Sequence, residues 1–533
     1  MHSKVHSSLQ SLPKLQEFLY RNPHKGIKTD LKFIYEDNNI LLGWPKKLIQ
    51  TQRVARENTV AILGVALGDE GKGRFIDNTI EKLLQTSGVK KVYVIRYQGG
   101  NNAGHTIEKD GIKLDLHLLP SSVLYPKTTG IMDRGMLIHV EDLKTEIDYV
   151  EEKVGPLKSL YLSEDAILCT DLERAEEWLN RTKTGKAKGG TSRGIGPSYA
   201  HHYDRLGLKI YDLLNPDWMT TLEDYYDRYE KEFRAFNIKL ADVAVPDFYT
   251  SHKTKESVER PVGSKKEFLQ RLQKARSWLL KRDIATNTFA IHQKAYMDTS
   301  AAILFEGAQA AGLDAWLGTL PDITASNTSA YGLREGTAFW RIFDIEDIIG
   351  VFKIPYTSSV GARRMPTHID LPKDLQDLPK KPSHDQQWAA FVREEAHEYG
   401  TTTGRPRDIN YLDLEFLRYN SRMSGVKALA GTHLDISQEH KPIKVCTHYT
   451  DKNGKPLPYQ PGLRYQKDVV PQYAELPGWD GTKCLNAKTV KQLPENAVKF
   501  LAFIQARTGF PIVAVTTGSQ RENFISIPQY SSR

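Results

Sequence analysis

Three observations predict an α/β fold for this 533-residue chain: short apolar runs rich in β-branched residues, helical stretches between them, and glycine or polar residues directly after most of the runs. Thr59–Leu67 (TVAILGVAL) comes first, a continuous apolar run that reads as a strand buried on both faces. A helical stretch, Phe75–Gln85, follows it, and Lys91–Tyr97 (KVYVIRY) reads as the next strand. Further strands are expected at Ala302–Phe305, Ile348–Ile354, Val426–Ala430 and Pro511–Val515, with a helix at Ala497–Thr508 before the last. This alternation places functional loops at strand ends. The polar segment Tyr249–Lys266 and the proline-bearing Leu371–Asp385 read as surface loops or subdomain connections. Residues 1–58 are polar and lysine-rich and read as an N-terminal extension, residues 59–530 as the catalytic body, and 531–533 as a tail.

Composition narrows the function classes without choosing one. Lys and Arg number 73 against 65 Asp and Glu, a formal charge of 73 − 65 = +8 spread along the chain, which suits anionic small molecules as well as nucleic acid. No apolar run reaches the roughly 18 residues of a membrane helix, so no membrane partner is expected. Cys169, Cys446 and Cys484 are far apart with no CxxC spacing, which argues against a disulfide framework or a cysteine zinc site and favours a reducing compartment. The first residues, MHSKVHSSLQSLPKLQ, lack acids but also lack arginine and an apolar core, so a plain extension is preferred over a targeting segment and a cytoplasmic location is expected.

The first strand runs into Gly68-Asp69-Glu70-Gly71-Lys72-Gly73-Arg74. Glycines between a strand and a helix let backbone N–H groups approach phosphate oxygens, the helix start adds positive potential, and Lys72 supplies a point charge. The Walker spacing is absent, and the carboxylates of Asp69 and Glu70 would repel phosphate unless one binds a cation or acts as a base. The second strand ends in Tyr97-Gln98-Gly99-Gly100-Asn101-Asn102-Ala103-Gly104-His105-Thr106, a donor-rich loop that reads as the other half of the same site.

GDEGKG followed by RYQGGNNAGHT resembles the adenylosuccinate synthetase family, ligases that join aspartate to IMP at the expense of GTP. Later segments arrive in that family's order: GTSRGIGPSY (190–199), FEGAQ (305–309), GTLPDITASN (318–327), GTTTGRPR (400–407), THLDI (432–436) and GSQR (518–521). The resemblance implies a large, mostly parallel central sheet with flanking helices and smaller subdomains. It also implies Asp69 as the base that takes the purine N1 proton, His105 as hydrogen-bond or proton donor to the transferred phosphoryl group, and Lys72 as phosphate ligand. Mg²⁺ is expected at Asp69 and the Gly104 carbonyl.

Carried over position by position, the IMP contacts are Asn102, Thr191, Arg205, Gln309, Thr324 and Arg405. The GTP contacts are Glu70, Gly71, Lys72, Gly73, Thr106, His433, Asp435, Thr516 and Gly518, with Lys72 and the Gly71 and Gly73 amides on the phosphates and His433 and Asp435 at the base. The family's equivalent of Arg205 reaches the neighbouring subunit's monophosphate, which implies a homodimer with shared sites. Aspartate would meet Thr401, Thr402, Thr403, Arg405 and Arg407, the last clamping its side-chain carboxylate.

Several positions depart from the family pattern. Asp408-Ile409-Asn410-Tyr411 replaces the usual Arg or Cys and Gly-Trp, and a carboxylate at Asp408 disfavours a dicarboxylate or favours a cationic ligand. Tyr356–His368 (YTSSVGARRMPTH) has Ser359 in place of an arginine, new Arg363 and Arg364, and His368 in place of a glutamate. The family's TKxD motif, which reads guanine, is Thr432-His433-Leu434-Asp435 here, with Asp435 kept as acceptor and His433 where the lysine stem packs on the base, so GTP is favoured over ATP. Leu317 stands where histidine is common. The favoured function is therefore the IMP–aspartate ligation. The alternatives are a paralogue acting on GMP or dGMP or with another amine donor, and a catalytically idle binding protein. Against the last stand the retained Asp69, Lys72 and His105, and no interleaved basic and aromatic nucleic-acid motif supports it.

Overall fold

The computed structural model describes residues 56–109, 111–184, 190–248, 250–251, 256–341, 344–359, 365–400, 404–462 and 468–528. Ten strands form the central sheet: β1 (Arg56–Gly64), β2 (Lys91–Arg96), β3 (Thr128–Met132), β4 (Leu160–Ser163), β5 (Ala285–Thr286), β6 (Ala301–Glu306), β7 (Ile345–Lys353), β8 (Ala428–Thr432), β9 (Ile512–Thr516) and β10 (Phe524–Ser526). Their spatial order is β5-β4-β3-β2-β6-β1-β7-β8-β9-β10. Every neighbouring pair is parallel except β9 and β10, so the mostly parallel sheet expected from the resemblance is present.

All six strands expected from the sequence lie in this sheet, shifted by a few residues at their ends. β1 starts at Arg56, which pairs with Ile345, so Arg56–Asn58 belong to the sheet and not to an extension. The run ends as a strand at Gly64, where the chain must pass very close to its neighbours. A Cβ there would sit 2.5 Å from the Gln309 carbonyl oxygen and 2.8 Å from Glu70 Oε2.

The chain enters the sheet near its middle and builds outwards on one side, then returns as β6 beside β1 and builds on the other. Such an order opens a crevice at the carboxyl ends of the central strands. Both faces are covered. Val60 and Ile62 pack with Phe75, Ile76 and Ile80 of helix α1 (Lys72–Gln85), while Ala61 and Leu63 join the opposite core with Ile303, Phe305 and Phe352. This burial explains the continuous apolar run, since alternation is required only of a sheet with one wet face. Each buried Phe or Ile contributes about 1.5–3 kcal/mol.

Two smaller units flank the crevice. One is a sheet in which Tyr356–Ser359 pairs antiparallel with Asp408–Asp413, itself parallel to Ile443–Thr450. The other is a helical region including Val140–Val154, Asp171–Thr184, Ile195–Asp204, Trp218–Arg234 and Lys265–Arg282, built mostly around its own core. The polar segment read as a surface loop at Tyr249–Lys266 holds a short strand, Glu259–Pro261, paired with Ala244–Pro246, and the start of the last helix behind a Ser264–Glu267 capping box. Leu371–Asp385 is largely irregular with one short 3-10 turn, as expected. The three cysteines are free and buried. Among the described residues no helix is long and apolar enough to cross a membrane.

Candidate active site

The loop after β1 turns through left-handed backbone at Gly68 (φ 90), Asp69 (φ 57) and Gly71 (φ 82), and Gly71 is the N-cap of α1. A non-glycine residue in that region is uncommon, and here it leaves the Asp69 side chain 39% exposed at the strand end. The two adjacent carboxylates separate in role. Glu70 is buried, its Oε1 accepting from the Gly68 N–H at 2.7 Å and the Ala66 N–H at 3.3 Å, and its Oε2 pairing with Lys72 Nζ at 2.8 Å. Its side chain therefore shapes the loop and aims the lysine, so its expected place at the triphosphate is left to its backbone.

His105 opens the hairpin His105–Lys109/Ile112–Leu116 and its Nε2 lies 3.2 Å from Glu306 Oε1 and 3.1 Å from Ser121 Oγ. Glu306 ends β6 beside Arg96 of β2 and also accepts from the Ser121 N–H at 2.9 Å. Burial pushes the imidazole well below its usual value, helped by Arg96, His117 and Lys72, and burial raises the Glu306 carboxyl. Thr106 lies in the same hairpin, its backbone opposite Asp115.

The loop after β2 gathers most of the remaining expected contacts. The Asn102 Oδ1 accepts from the Gly100 N–H at 3.1 Å, and the buried Gln309 Oε1, lacking a hydrogen-bond partner among the described residues, lies 3.0 Å from where a Cβ on Gly99 would stand. Tyr199 accepts from the Gly99 N–H at 3.0 Å and donates to the Gly135 carbonyl at 2.7 Å, which docks the helix after Thr191 onto this loop. Ser326 donates to Gln98 Oε1 at 2.9 Å and ties in the Thr324 segment. Thr191 is exposed, and Thr324 is half-buried with its N–H on the Leu313 carbonyl at 2.6 Å. Arg205 caps the helix Ile195–Asp204 at φ 69 and is exposed, flanked by the exposed Tyr203 and Leu206.

On the opposite wall, Arg405 is exposed and Arg407 is buried, with its Nη1 on Glu398 Oε2 at 2.8 Å and its Nη2 paired with Asp69 Oδ2. Thr401–Thr403, Arg363 and Arg364 lie outside the described residues, as do residues 1–55 and the tail. Ser359, where the family pattern has arginine, is buried and is the cross-strand partner of Asp408, so these two departures meet in one place. His368 is bridged to Asn410, and its Nε2 lies 3.6 Å from Asp370.

The triphosphate-base side is built from the ends of β8 and β9. Gly71 abuts Thr432, since a Cβ at Gly71 would lie 3.1 Å from the Thr432 methyl. His433 sits at φ 62 with its Nδ1 2.9 Å from Thr432 Oγ1 and its ring edge-on to Tyr356 at 5.7 Å. Burial, with Lys353 nearby, pushes its pKa down to about 3, so the ring is neutral. Asp435 is half-buried and raised by burial, with the Arg74 guanidinium pulling the other way. Arg74 also donates to the carbonyls of Gly518 and Ser519, Thr516 is buried, and the Leu434 N–H meets the Thr516 carbonyl at 3.1 Å. Arg521 of the GSQR segment is spent on α1, pairing with Asp77 at 2.6 Å and Glu81 at 2.8 Å.

The donor set suits Mg²⁺: the accessible carboxylate of Asp69 and the exposed Gly104 are both oxygen donors, and phosphate oxygens complete such a shell. Sequence reasoning missed Glu306, Lys353, Tyr356 and Glu398. The one available signal was Lys353, a cation inside the apolar run IIGVFKI.

A sequence profile of the adenylosuccinate synthetase family matches residues 61–525. Adenylosuccinate synthetase of Acetivibrio thermocellus is 34% identical over 472 residues, 88% of this chain and 99% of that protein. The Halothermothrix orenii enzyme is 32% identical over 465 residues, 87% of this chain and 97% of that protein. The fully ligated adenylosuccinate synthetase structure from Plasmodium falciparum superposes with TM-score 0.71 at 29% identity, covering 88% of this chain and 99% of that one. A cyanophage succinoaminodeoxyadenylate synthetase, bound to dGMP and dATP, shares the fold at TM-score 0.50 and 15% identity.

Proposed function

The chain belongs to the adenylosuccinate synthetase family of C–N ligases, and on that premise we propose that it joins L-aspartate to C6 of IMP at the expense of GTP, releasing GDP and phosphate. The observation that carries this reading is Asp69, an accessible carboxylate at the end of the central strand between a phosphate loop and a buried arginine. Asp69 takes the N1 proton of the purine as the 6-oxygen attacks the γ-phosphorus and GDP leaves. The amine of aspartate then attacks C6, and phosphate leaves with the former 6-oxygen. A 6-oxo group is a poor leaving group, which is why it is phosphorylated first.

Lys72, aimed by Glu70, and the amides at the start of α1 hold the triphosphate. Bound Mg²⁺, held by Asp69 and Gly104, supplies charge neutralisation for the phosphates. His105 is oriented through Nε2 by Glu306 and Ser121, and in this reading it is the hydrogen-bond or proton donor to the transferred phosphoryl group. The unpartnered Oε1 of Gln309 is suited to an N–H donor of the bound purine nucleotide. Arg205 is exposed beside the exposed Tyr203 and Leu206, which leaves it available for the proposed reach to a neighbouring subunit's monophosphate in a homodimer. The catalytic unit of this reading runs from Arg56, where β1 begins, to about residue 530, with residues 1–55 as an appendage. A truncation that removes 1–55 keeps β1 whole and should keep turnover, and loss of folding would contradict the appendage.

One observation favours a second reading, a different amine donor or purine nucleotide such as GMP or dGMP. Ser359 and Asp408 are both departures and face each other across one strand pair. Phosphate release by the purified full chain with Mg²⁺, leaving out IMP, aspartate and GTP in turn, tests the main reading. Release must need all three, and release with GTP and IMP unaffected by omitting aspartate contradicts it.

A further inference from the structure

Arg407 is held by two carboxylates of unlike character. Glu398 is 0% exposed and receives Arg407 Nη1 at 2.8 Å, while its other oxygen takes Lys353 Nζ and the Tyr356 hydroxyl. Lys353 is itself buried and donates to Ser358 Oγ at 2.7 Å. Donors from the end of β7, from the strand Tyr356–Ser359 and from Arg407 thus converge on one carboxylate, and Lys353 and Arg407 hold it well below the usual range although burial alone would raise it. Glu398 therefore has no freedom to follow a moving guanidinium. Asp69 is the opposite case: exposed at the crevice on a left-handed turn and joined to the guanidinium by its other edge. Arg407 Nε is buried with no hydrogen-bond partner among the described residues, so the fork is not fully used in this arrangement.

Resting on the reading that Arg407 takes the side-chain carboxylate of the amino acid, we infer that Glu398 is a positioning residue that fixes one edge of the Arg407 guanidinium while the other edge exchanges between Asp69 in the empty site and the substrate carboxylate in the filled one. A planar, rigid fork can serve two carboxylates at once and swap one of them without losing the other. The same pair then stands in the way of both ligands. A dicarboxylate needs the Arg407 edge, and the purine nucleotide needs Asp69 unpaired. Whichever binds first opens the pair, and the second meets it already open, so the two bind with positive coupling.

The test is Glu398→Gln in the full chain, which keeps the shape and removes the charge. KM for L-aspartate rises about ten-fold or more while KM for IMP and GTP stays within about two-fold. An unmoved aspartate KM, or all three rising together with a lower melting temperature, overturns the inference. If Lys353, left as a buried unpaired cation, prevents folding, the double variant Lys353→Met/Glu398→Gln removes both charges and must show the same split. A binding measurement reads the exchange separately: in Asp69→Asn, L-aspartate followed by NMR titration on nucleotide-free protein binds about five-fold tighter than to wild type. Equal or weaker binding overturns it. Wild-type protein that fails to turn over IMP, aspartate and GTP would sink the proposed function instead, and the Asp69→Asn titration would still decide the exchange.

Discussion

The two walls of the crevice are held in place by different forces. The loops after β1 and β2 are fixed by backbone: left-handed turns at Gly68, Asp69 and Gly71, a carboxylate of Glu70 folded onto two amides, and Tyr199 accepting from the Gly99 N–H. The facing wall is fixed by buried charge, with Glu398 between Lys353 and Arg407. Backbone fixation needs particular residues at particular spacings, whereas a charge network can be assembled from side chains far apart in sequence. In the proposed function the first wall carries the bond-making groups and purine contacts while the second reads the amino acid and the guanine base, and the departures Ser359, Asp408 and His433 lie on the second.

The contrast can be broken most severely at the first wall. Asp69→Asn should lower kcat by about 10²–10⁴-fold, the range for a general base, with the melting temperature nearly unchanged because the side chain is accessible. Steady-state phosphate release and calorimetry check it, and retained turnover removes the base from the mechanism. Gly64→Ala attacks the same wall through packing. Its Cβ would stand 2.5 Å from the Gln309 carbonyl and 2.8 Å from Glu70 Oε2, and overpacking of this kind costs about 1–3 kcal/mol. Denaturant unfolding should show that loss together with weaker IMP binding.

On the second wall, if Asp435 is the guanine acceptor of the proposed reading, Asp435→Ala should raise KM for GTP by about ten- to a hundred-fold and leave any use of ATP unchanged. A nucleotide preference that survives the change would place base recognition elsewhere. Arg205→Ala should weaken IMP binding by about ten-fold with no change in stability, because the residue is exposed. The smallest effect concerns pH. His433 has a folded pKa near 3, below its unfolded value, so the unfolded state binds more protons below about pH 6.5 and stability is lost as pH falls through that point. His433→Asn should shrink the fall in melting temperature between pH 7 and pH 5 by on the order of 1 °C, and an unchanged slope would show that the ring does not titrate this way.

Legibility in the sequence followed the same division. The β1 and β2 loops were readable because glycine, amide and carboxylate spacings there report backbone geometry. Strand positions were readable because a sheet covered on both faces demands continuous apolar runs, and only their ends moved, as at Arg56 and Gly64. Glu70 was expected among the GTP contacts, yet its side chain folds onto the Ala66 and Gly68 amides, a distinction that needs the turn itself. Glu398 lies in the polar stretch REEAHEYG, which reads as an exposed helix end, and nothing local marks it as wholly buried. Its partners Lys353 and Tyr356 are more than 40 residues away in sequence, so only the folded chain brings them together. The meeting of Ser359 with Asp408 was hidden for the same reason, since cross-strand register is not written in either segment.

The most direct test of the account is to identify the product by mass spectrometry when the purified chain, Mg²⁺ and GTP are offered IMP, GMP and dGMP crossed with aspartate and a small panel of other amino acids. The account predicts a single productive pair, IMP with L-aspartate, giving the succinyl adduct at the purine 6-position. A product from another pair would mean that the charged wall around Arg407 and Asp408 reads a different substrate, and no product from any pair would contradict the ligase assignment of the Asp69 loop.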